Sequence, residues 1–350
     1  MFILTKPKKL IINKSKIAII TPSWGGAAKF LHRYKIGKQQ LIKEFGFKIV
    51  EMPNSLKSEE YIYKNPQARA EDINEAFSRR DIDGIFTTIG GEDSIRVLPY
   101  LNKKIIKNNP KVFLGYSDIT TLHLFLYSLG MVSFYGPSVM SSFAENGGIP
   151  SYLKKYFVKT VCNNSYPYEI KSNSNGYMIN NFSWDDKNKQ NTKINRLNPS
   201  KNTNKLLNGK GVREGNLIGG CVETLEGLKG TEFWPTKDKW QNAILFLETS
   251  EDTPNIDIFE RYLRNYAIQG ILKNLNGIIL GRHIGSIKEQ IAYENSLLRV
   301  AIDEFGLNDL IIISNMDFGH TRPIFTIPYG IKARLNAKNR SLEILENAVV

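Results

Sequence analysis

Three side chains that could together hydrolyse an amide bond each follow a short apolar run of the sequence. Ser117 comes after KVFLGY, Glu248 ends AILFLE, and His320 stands in NMDFGHTRP, just beyond the run Leu310–Ser314. A serine nucleophile needs a base within hydrogen-bond reach, and the base needs a third group to orient it. The sequence therefore contains the residue types for acyl transfer through a serine, a histidine and a glutamate.

Ser117 lies between a predicted strand, Val112–Leu114, and a predicted helix in which apolar residues recur at helical spacing. A serine on such a turn is held above the edge of the sheet, where backbone N–H groups at the helix start favour an anion. The G-x-S-x-G pattern typical of such turns lacks its last glycine, because Ile119 stands there. The segment alone also fits a helix N-cap at Ser117 with Asp118 in the first turn.

His320 is the best candidate base among the four histidines. It lies in a tight loop flanked by glycine and proline, past the end of a strand, which suits a base better than a core position. His123 follows Ser117 by six residues in the same predicted helix and is too far along the axis to reach it. His283, at the end of another strand, is a candidate substrate contact. On local evidence, His320 fits a surface-loop residue equally well.

Glu248 emerges at the end of a strand, beside Thr249 and Ser250, where a carboxylate could fix the tautomer of the imidazole. Glu251 and Asp252 compete for this role. The ordinary alternative for these acids is to cap and start the next helix, which fits Asp252 better than Glu248.

Two glycines, Gly90 and Gly91, follow the β-rich run GIFTTI. Without side chains, this backbone could approach a ligand closely. The amide of Gly91 could then act with the amide of Asp118 as an oxyanion hole. A pair of glycines is a weak signal by itself.

The elements that must position these residues predict a parallel sheet. Between residues 16 and 130, apolar runs such as Lys16–Ser23, Gly84–Ile89 and Val112–Tyr116 alternate with helical stretches. This alternation indicates an α/β fold with helices on both faces of the sheet. Ligands bind such sheets beyond the carboxyl ends of the strands, which is where Gly91 and Ser117 lie.

The composition changes sharply between residues 163 and 210, where Asn and Lys are abundant and periodic apolar residues are scarce. Such a segment is typical of a long loop or linker. We therefore predict an N-terminal α/β domain (1–162) that carries the nucleophile, an interdomain polar loop (163–210), and a C-terminal domain (211–350) that carries Glu248 and His320.

The net charge of +13 raises the question of nucleic acid. The lysines are spread along the chain alongside many Asn and Ile residues, and no basic-aromatic cluster or helix-turn-helix pattern is visible. We therefore expect no nucleic-acid polymer as a partner; salt-sensitive retention of DNA or RNA would revive that hypothesis. A positive field could still attract small anionic substrates.

The sequence shows no membrane span, no signal peptide and no metal-binding motif, and these features bear on the location and cofactors that we expect. No apolar run approaches the roughly 18 residues of a membrane span, and the basic N-terminal segment has no apolar region followed by a cleavage site. We predict a cytoplasmic protein without membrane contact, with Cys162 and Cys221 as free thiols. No His/Cys cluster with metal spacing is visible, so we expect no metal and no organic cofactor.

Five segments, TIGGEDS, GYSDIT, LIGGC, LFLETSED and FGHTRP, occur in an order that resembles the LD-carboxypeptidase family of serine peptidases. This family includes murein-recycling LD-carboxypeptidases and microcin C self-immunity peptidases. The likeness extends from about Ile17 to Tyr329. It implies a flavodoxin-like N-terminal domain, a β-rich C-terminal domain, an active site between them and a homodimer.

The resemblance also implies roles for particular residues. By position in the matching segments, the nucleophile is Ser117, the acid is Glu248 and the base is His320. The oxyanion amides are those of Gly91 and Asp118. The order serine, glutamate, histidine agrees with the assignment made from the residues alone.

The long polar segment and the phrase LFLETSED resemble the microcin-immunity branch more closely. In that branch a tryptophan of the interdomain loop stacks on the nucleotide part of an aminoacyl-nucleotide. The resemblance implies that Trp184 is the counterpart of this tryptophan. The alternative is that Trp184 only anchors the loop on the domain surface. Gly281–His283 has the sequence GRH, where GRP is more usual in the family.

The expected substrate is a peptidyl- or aminoacyl-nucleotide, or a muropeptide cut at its L,D bond. A non-catalytic small-molecule binding protein on the same scaffold is the alternative.

Overall fold

The structure is a computed structural model that describes residues 4–173, 175–177, 183–190, 192 and 203–350. In these ranges the strands form a six-stranded sheet and an eight-stranded sheet. The predicted α/β fold class is confirmed.

The strands are, in chain order, β1 (Lys16–Ile20), β2 (Lys48–Glu51), β3 (Gly84–Thr87), β4 (Val112–Gly115), β5 (Ser133–Tyr135), β6 (Tyr168–Ile170), β7 (Lys205–Asn208), β8 (Val212–Cys221), β9 (Ile244–Glu248), β10 (Gly277–Gly281), β11 (Ile311–Met316), β12 (Ile327–Tyr329), β13 (Lys332–Asn336) and β14 (Ser341–Ile344).

The α-helices are α1 (Gly26–Lys29), α2 (Leu31–Phe45), α3 (Glu59–Lys64), α4 (Pro66–Ser78), α5 (Lys103–Asn108), α6 (Thr120–Ser128), α7 (Ser151–Phe157), α8 (Val222–Leu228), α9 (Ile256–Ile268) and α10 (Ile287–Leu298). Short 3-10 helices cover Ser94–Tyr100, Ser117–Ile119, Lys187–Lys189, Lys237–Trp240 and Leu272–Asn274, and π-helical turns cover Val158–Cys162 and Arg299–Glu304.

The first sheet has the strand order β12-β5-β4-β3-β1-β2. Strands β1 to β5 run parallel, in the order 2-1-3-4-5 that is typical of flavodoxin-like folds. The sixth strand, β12, comes from the C-terminal part of the chain and pairs antiparallel with β5. The predicted division at 163–210 stays a prediction, and residues from beyond it complete the first sheet.

The second sheet has the order β6-β14-β13-β8-β9-β10-β11-β7. Its centre, β8 to β11, is parallel, and β9 and β10 within it are buried, mainly apolar runs. Strands β6 and β7 belong to the segment predicted as a polar loop, and they pair with the edges of this sheet. An edge strand pairs through backbone N–H and C=O groups, which an Asn- and Lys-rich sequence also provides.

Aromatic rings join the two sheets. The ring of Tyr135 on β5 lies 5.3 Å from that of Phe246 on β9, and the ring of Phe246 lies 5.5 Å from that of Tyr329 on β12. His123 on α6 is fully buried, and its ring nitrogens hydrogen-bond to Ser133 Oγ and to the Gly115 carbonyl. The carboxyl ends of β4 and β9 are therefore held close together.

Within the described ranges, no helix is long and apolar enough to cross a membrane. Cys162 and Cys221 are both free thiols, as the sequence predicts.

Gly219 on β8 is paired with Phe246 on β9. It has a φ of +157°, and a Cβ added there would lie 1.8 Å from the Phe246 carbonyl oxygen. Because the obstacle is backbone, no rotation of a side chain can relieve the clash.

Replacing Gly219 by Ala should therefore lower the free energy of unfolding by about 1–3 kcal/mol, the usual cost of overpacking. Urea denaturation measures this change. Gly227→Ala on α8, where a Cβ meets nothing within 4 Å, is the matched control and should be neutral or stabilising. Equal effects of the two substitutions would contradict the close approach of β8 to β9.

Candidate active site

The chain leaves β4 at Gly115 and turns sharply at Ser117. Ser117 has a φ of +66°, in the left-handed region that costs a residue with a side chain about 1 kcal/mol or more. The hydroxyl of Thr120 donates to the Ser117 carbonyl at 2.7 Å and fixes the turn. The N-cap position of α6 is Ile119, which makes no side-chain cap hydrogen bond. Ser117 is therefore free of a capping role and projects from a strained turn.

The predicted serine, histidine and glutamate lie within hydrogen-bond distance of one another. His320 Nε2 is 3.1 Å from Ser117 Oγ, and His320 Nδ1 is 2.7 Å from Glu248 Oε2. Glu248 ends β9, Ser117 follows β4, and His320 lies in the loop after β11. Side chains more than seventy residues apart thus form one hydrogen-bonded line.

Tyr135, at the end of β5, joins the two ends of this line. Its hydroxyl accepts a hydrogen bond from the Ser117 backbone N–H at 3.2 Å and donates one to Glu248 Oε1. The two oxygens of the buried Glu248 carboxylate are therefore divided between Tyr135 and His320. Sequence reasoning missed Tyr135; the available signal was a tyrosine at a strand end immediately before a glycine, in SFYGPS.

The electrostatic environment of His320 favours the imidazolium. Burial disfavours the charged ring, but the carboxylates of Glu248 and Glu251 outweigh that effect and raise the pKa of His320 to about 9. Glu251 Oε2 is 3.2 Å from His320 Nε2, the same nitrogen that faces Ser117. A doubly protonated ring can donate to both glutamates, whereas only a neutral ring can accept the Ser117 proton.

Of the two predicted glycines, Gly90 lies directly against Ser117, and Gly91 lies against Ser23 and Trp24. A Cβ at Gly90 would lie 3.0 Å from Ser117 Oγ and 3.3 Å from the Asp118 backbone nitrogen. The Asp118 carboxylate is buried and accepts hydrogen bonds from Ser23 Oγ at 2.6 Å and from the Ser94 N–H at 2.8 Å. Burial raises the pKa of Asp118. The Asp118 side chain thus anchors the turn, and its backbone lies beside the glycine pair.

A cavity of about 1140 Å³ opens above Ser117. Ser117, Asp118, Gly91, Trp184 and His320 all line it. The other charged residues of the described lining are Arg322 and seven acids: Glu59, Glu60, Glu92, Asp93, Glu223, Glu251 and Asp252. His283, the candidate substrate contact, is instead buried beside Tyr293, and its backbone N–H donates to Gln290 Oε1.

Trp184 forms part of the cavity wall. Its ring stacks on that of Trp24 with centroids 6.4 Å apart, and the ring of Phe30 meets it edge-on at 5.6 Å. His32 Nε2 donates to the Trp184 carbonyl at 2.6 Å, and the Arg33 guanidinium lies 5.3 Å from the indole. Trp184 both anchors its segment and presents an aromatic surface to the cavity.

Comparison with known proteins agrees with this fold. The model of the LD-carboxypeptidase N-terminal domain matches residues 17–136, and that of the LD-carboxypeptidase C-terminal domain matches residues 214–335. The microcin C7 self-immunity protein MccF of Escherichia coli is 29% identical over 311 residues, covering 88% of this chain and 86% of that protein. The putative carboxypeptidase YocD of Bacillus subtilis is 30% identical over 304 residues, which cover 87% of this chain and 88% of YocD.

Solved structures give the same result. An MccF-like protein from Streptococcus pneumoniae, in complex with AMP, has a TM-score of 0.84 and 29% identity and covers 95% of this chain and 99% of its own. MccF in complex with aspartyl sulfamoyl adenosine has a TM-score of 0.86 and 26% identity, and the match covers 99% of this chain and 100% of the MccF chain.

The two matching domain models and the relatives named as carboxypeptidases place the chain among the serine-type hydrolases. The chain belongs to the LD-carboxypeptidase family, and it is a serine-type carboxypeptidase.

Replacing Glu251 by Gln should lower the pKa of His320, because it removes a negative charge 3.2 Å from Nε2. The expected change is a few tenths of a pH unit, roughly what one exposed ion pair contributes. Titration of the His320 ring protons by NMR measures it. Glu60→Gln, another exposed glutamate of the cavity wall, is the control and should leave the His320 pKa unchanged. An equal change in both variants would argue against a specific contact with Glu251.

Proposed function

We propose that this enzyme hydrolyses an amide bond through Ser117 as nucleophile, His320 as general base and Glu248 as the group that orients the base. The observation that carries the proposal is the hydrogen-bonded line from Ser117 Oγ through His320 to Glu248 at the floor of the cavity. Distances of 3.1 and 2.7 Å are those at which a nucleophile, a base and its orienting acid act together.

The first half of the reaction forms an acyl-enzyme. His320 Nε2 removes the Ser117 proton as Oγ attacks the scissile carbonyl carbon. His320 then gives that proton to the leaving nitrogen, the carbon–nitrogen bond breaks, and the amine departs. In the second half His320 takes a proton from water, the hydroxide attacks the ester, and Ser117 leaves with the proton restored.

The amides of Gly91 and Asp118 are our candidates for the oxyanion hole. Both belong to backbone segments beside Ser117, and the missing side chain at Gly90 leaves the approach to Ser117 Oγ open. Donors fixed before the reaction stabilise the charge on the carbonyl oxygen without reorganisation, and one such donor contributes roughly a hundredfold or more in rate.

The substrate we favour is an aminoacyl- or peptidyl-nucleotide. Its nucleobase would stack on Trp184, whose ring lines the cavity together with that of Trp24. Two relatives of this fold were solved with AMP and with aspartyl sulfamoyl adenosine, which supports this class of ligand. A muropeptide with an L,D bond is the second candidate, because this is a carboxypeptidase with a cavity large enough for a short peptide. A homodimer and a cytoplasmic location stay predictions.

Ser117→Ala should reduce hydrolysis by at least about a thousandfold, because no acyl-enzyme can form. Mass spectrometry would follow an aminoacyl-sulfamoyl adenylate and a murein L,D-tetrapeptide side by side. Ser128→Ala, at the far end of α6, is the control and should retain activity. His320→Ala combined with Ser117→Ala should cost no more than either substitution alone, because the two residues act as a unit. Undiminished hydrolysis by Ser117→Ala would refute the assignment.

Trp184→Ala should raise KM for the adenylate about tenfold or more, the contribution of one aromatic stacking contact. KM for the tetrapeptide should change little. Trp184→Phe retains an aromatic face and should lie between the wild type and Trp184→Ala. Equal loss on both substrates would show that Trp184 only anchors its segment.

A further inference from the structure

The cavity above Ser117 is lined by acidic side chains and by a single arginine. Among the described lining residues, Arg322 is the one Lys or Arg side chain. Glu223, Glu251 and Asp252 have no Lys or Arg within ion-pair distance in the described part of the chain. An anionic group entering the cavity is therefore repelled by these three carboxylates and attracted by Arg322.

Arg322 has donors to spare for a ligand. Arg322 is 8% exposed to solvent, and its ion-pair partner Glu145 is 2% exposed. Within the described ranges its guanidinium makes one hydrogen bond, from Nη1 to Glu145 Oε1 at 3.4 Å. Well-formed bonds between a guanidinium and a carboxylate are about 2.7–2.9 Å long, and a guanidinium carries five N–H donors. The contact with Glu145 holds the arginine in place without using its fork.

Arg322 belongs to the wall of the cavity that also carries His320. It follows His320 by two residues in the same loop. The ring of Tyr116, another lining residue, is 5.1 Å from that of His320 and belongs to the same wall. Because His320 Nε2 must protonate the leaving nitrogen, the leaving group lies next to this loop.

We propose that Arg322 binds the negatively charged group next to the scissile nitrogen of the substrate, which is the α-carboxylate of the terminal amino acid in a carboxypeptidase substrate. The proposal rests on the hydrolysis proposed above. A guanidinium fork can hold a carboxylate through two parallel hydrogen bonds, which fixes orientation as well as charge. In an acyl-sulfamoyl nucleotide the ionised acyl sulfamate shares its negative charge between the same nitrogen and the adjacent sulfonyl oxygens, so both substrate candidates present an anion here.

The test compares the tetrapeptide with its C-terminal amide, which lacks the charge. Wild-type enzyme should prefer the free acid in kcat/KM. Arg322→Gln should reduce kcat/KM for the free acid at least about thirtyfold, as expected on truncating one partner of a buried charge pair, and leave that for the amide nearly unchanged. Arg322→Lys, which keeps the charge but loses the fork, should retain part of the preference.

Two controls separate recognition from folding. Glu145→Gln removes the arginine's structural partner and should keep the preference for the free acid. Binding of the acid and the amide to Ser117→Ala enzyme, with and without Arg322→Gln, measures the same preference by calorimetry without turnover. If wild-type enzyme cleaves neither substrate, the proposed function fails, and the calorimetric comparison still decides the role of Arg322.

The outcomes distinguish the source of the anion. Loss of the acid-over-amide preference supports a carboxylate site. Loss confined to the acyl-sulfamoyl adenylate supports an anion site that holds the sulfamate. An unchanged preference in folded Arg322→Gln, with no loss on the adenylate, overturns the proposal.

Discussion

The carboxylate of Glu248 is buried, and a buried charge is tolerated only where donors compensate for the lost water. Its two oxygens receive the Nδ1–H of His320 and the hydroxyl of Tyr135. One donor comes from the loop after β11 and the other from β5 of the opposite sheet. Because the loss of either donor would leave part of a charge unsatisfied, the two halves of the chain must close on this carboxylate together. The same closure brings His320 to Ser117.

Packing around Glu248 holds the two sheets together next to this carboxylate. Tyr135 is held by Phe246, which precedes Glu248 by two residues on β9, and β12 pairs with β5. The Tyr135 hydroxyl also fixes the backbone N–H of Ser117, so the position of the strained turn and the position of the acid are not independent. Aromatic contacts of this kind are rigid, because a ring has few rotatable bonds and fills its space completely.

Much of this could be predicted from the sequence. Ser117, Glu248 and His320 each have a local signal, a polar residue of a suitable type at or beyond the end of an apolar strand. The alternation of apolar runs and helical stretches predicted the parallel sheet of the N-terminal part. Tyr135 also ends an apolar strand, but its role could not be predicted, because it depends on which strands become neighbours across the two sheets. The same holds for β6, β7 and β12: edge strands pair through backbone groups, which leave no pattern in the side chains.

The protein as a whole is positively charged, whereas the charged residues that line its cavity are mainly negative. The chain carries a net +13, whereas the described lining of the cavity is acidic. A net positive charge attracts small anions over distances of about 10 Å, and inside the cavity Glu223, Glu251 and Asp252 repel them while Arg322 attracts them. A substrate with one anionic end can satisfy both fields in a single orientation, with that end at Arg322 and its neutral or cationic end towards Glu223 and Glu251. In the hydrolysis proposed above, this charge distribution would orient the substrate before Ser117 reacts.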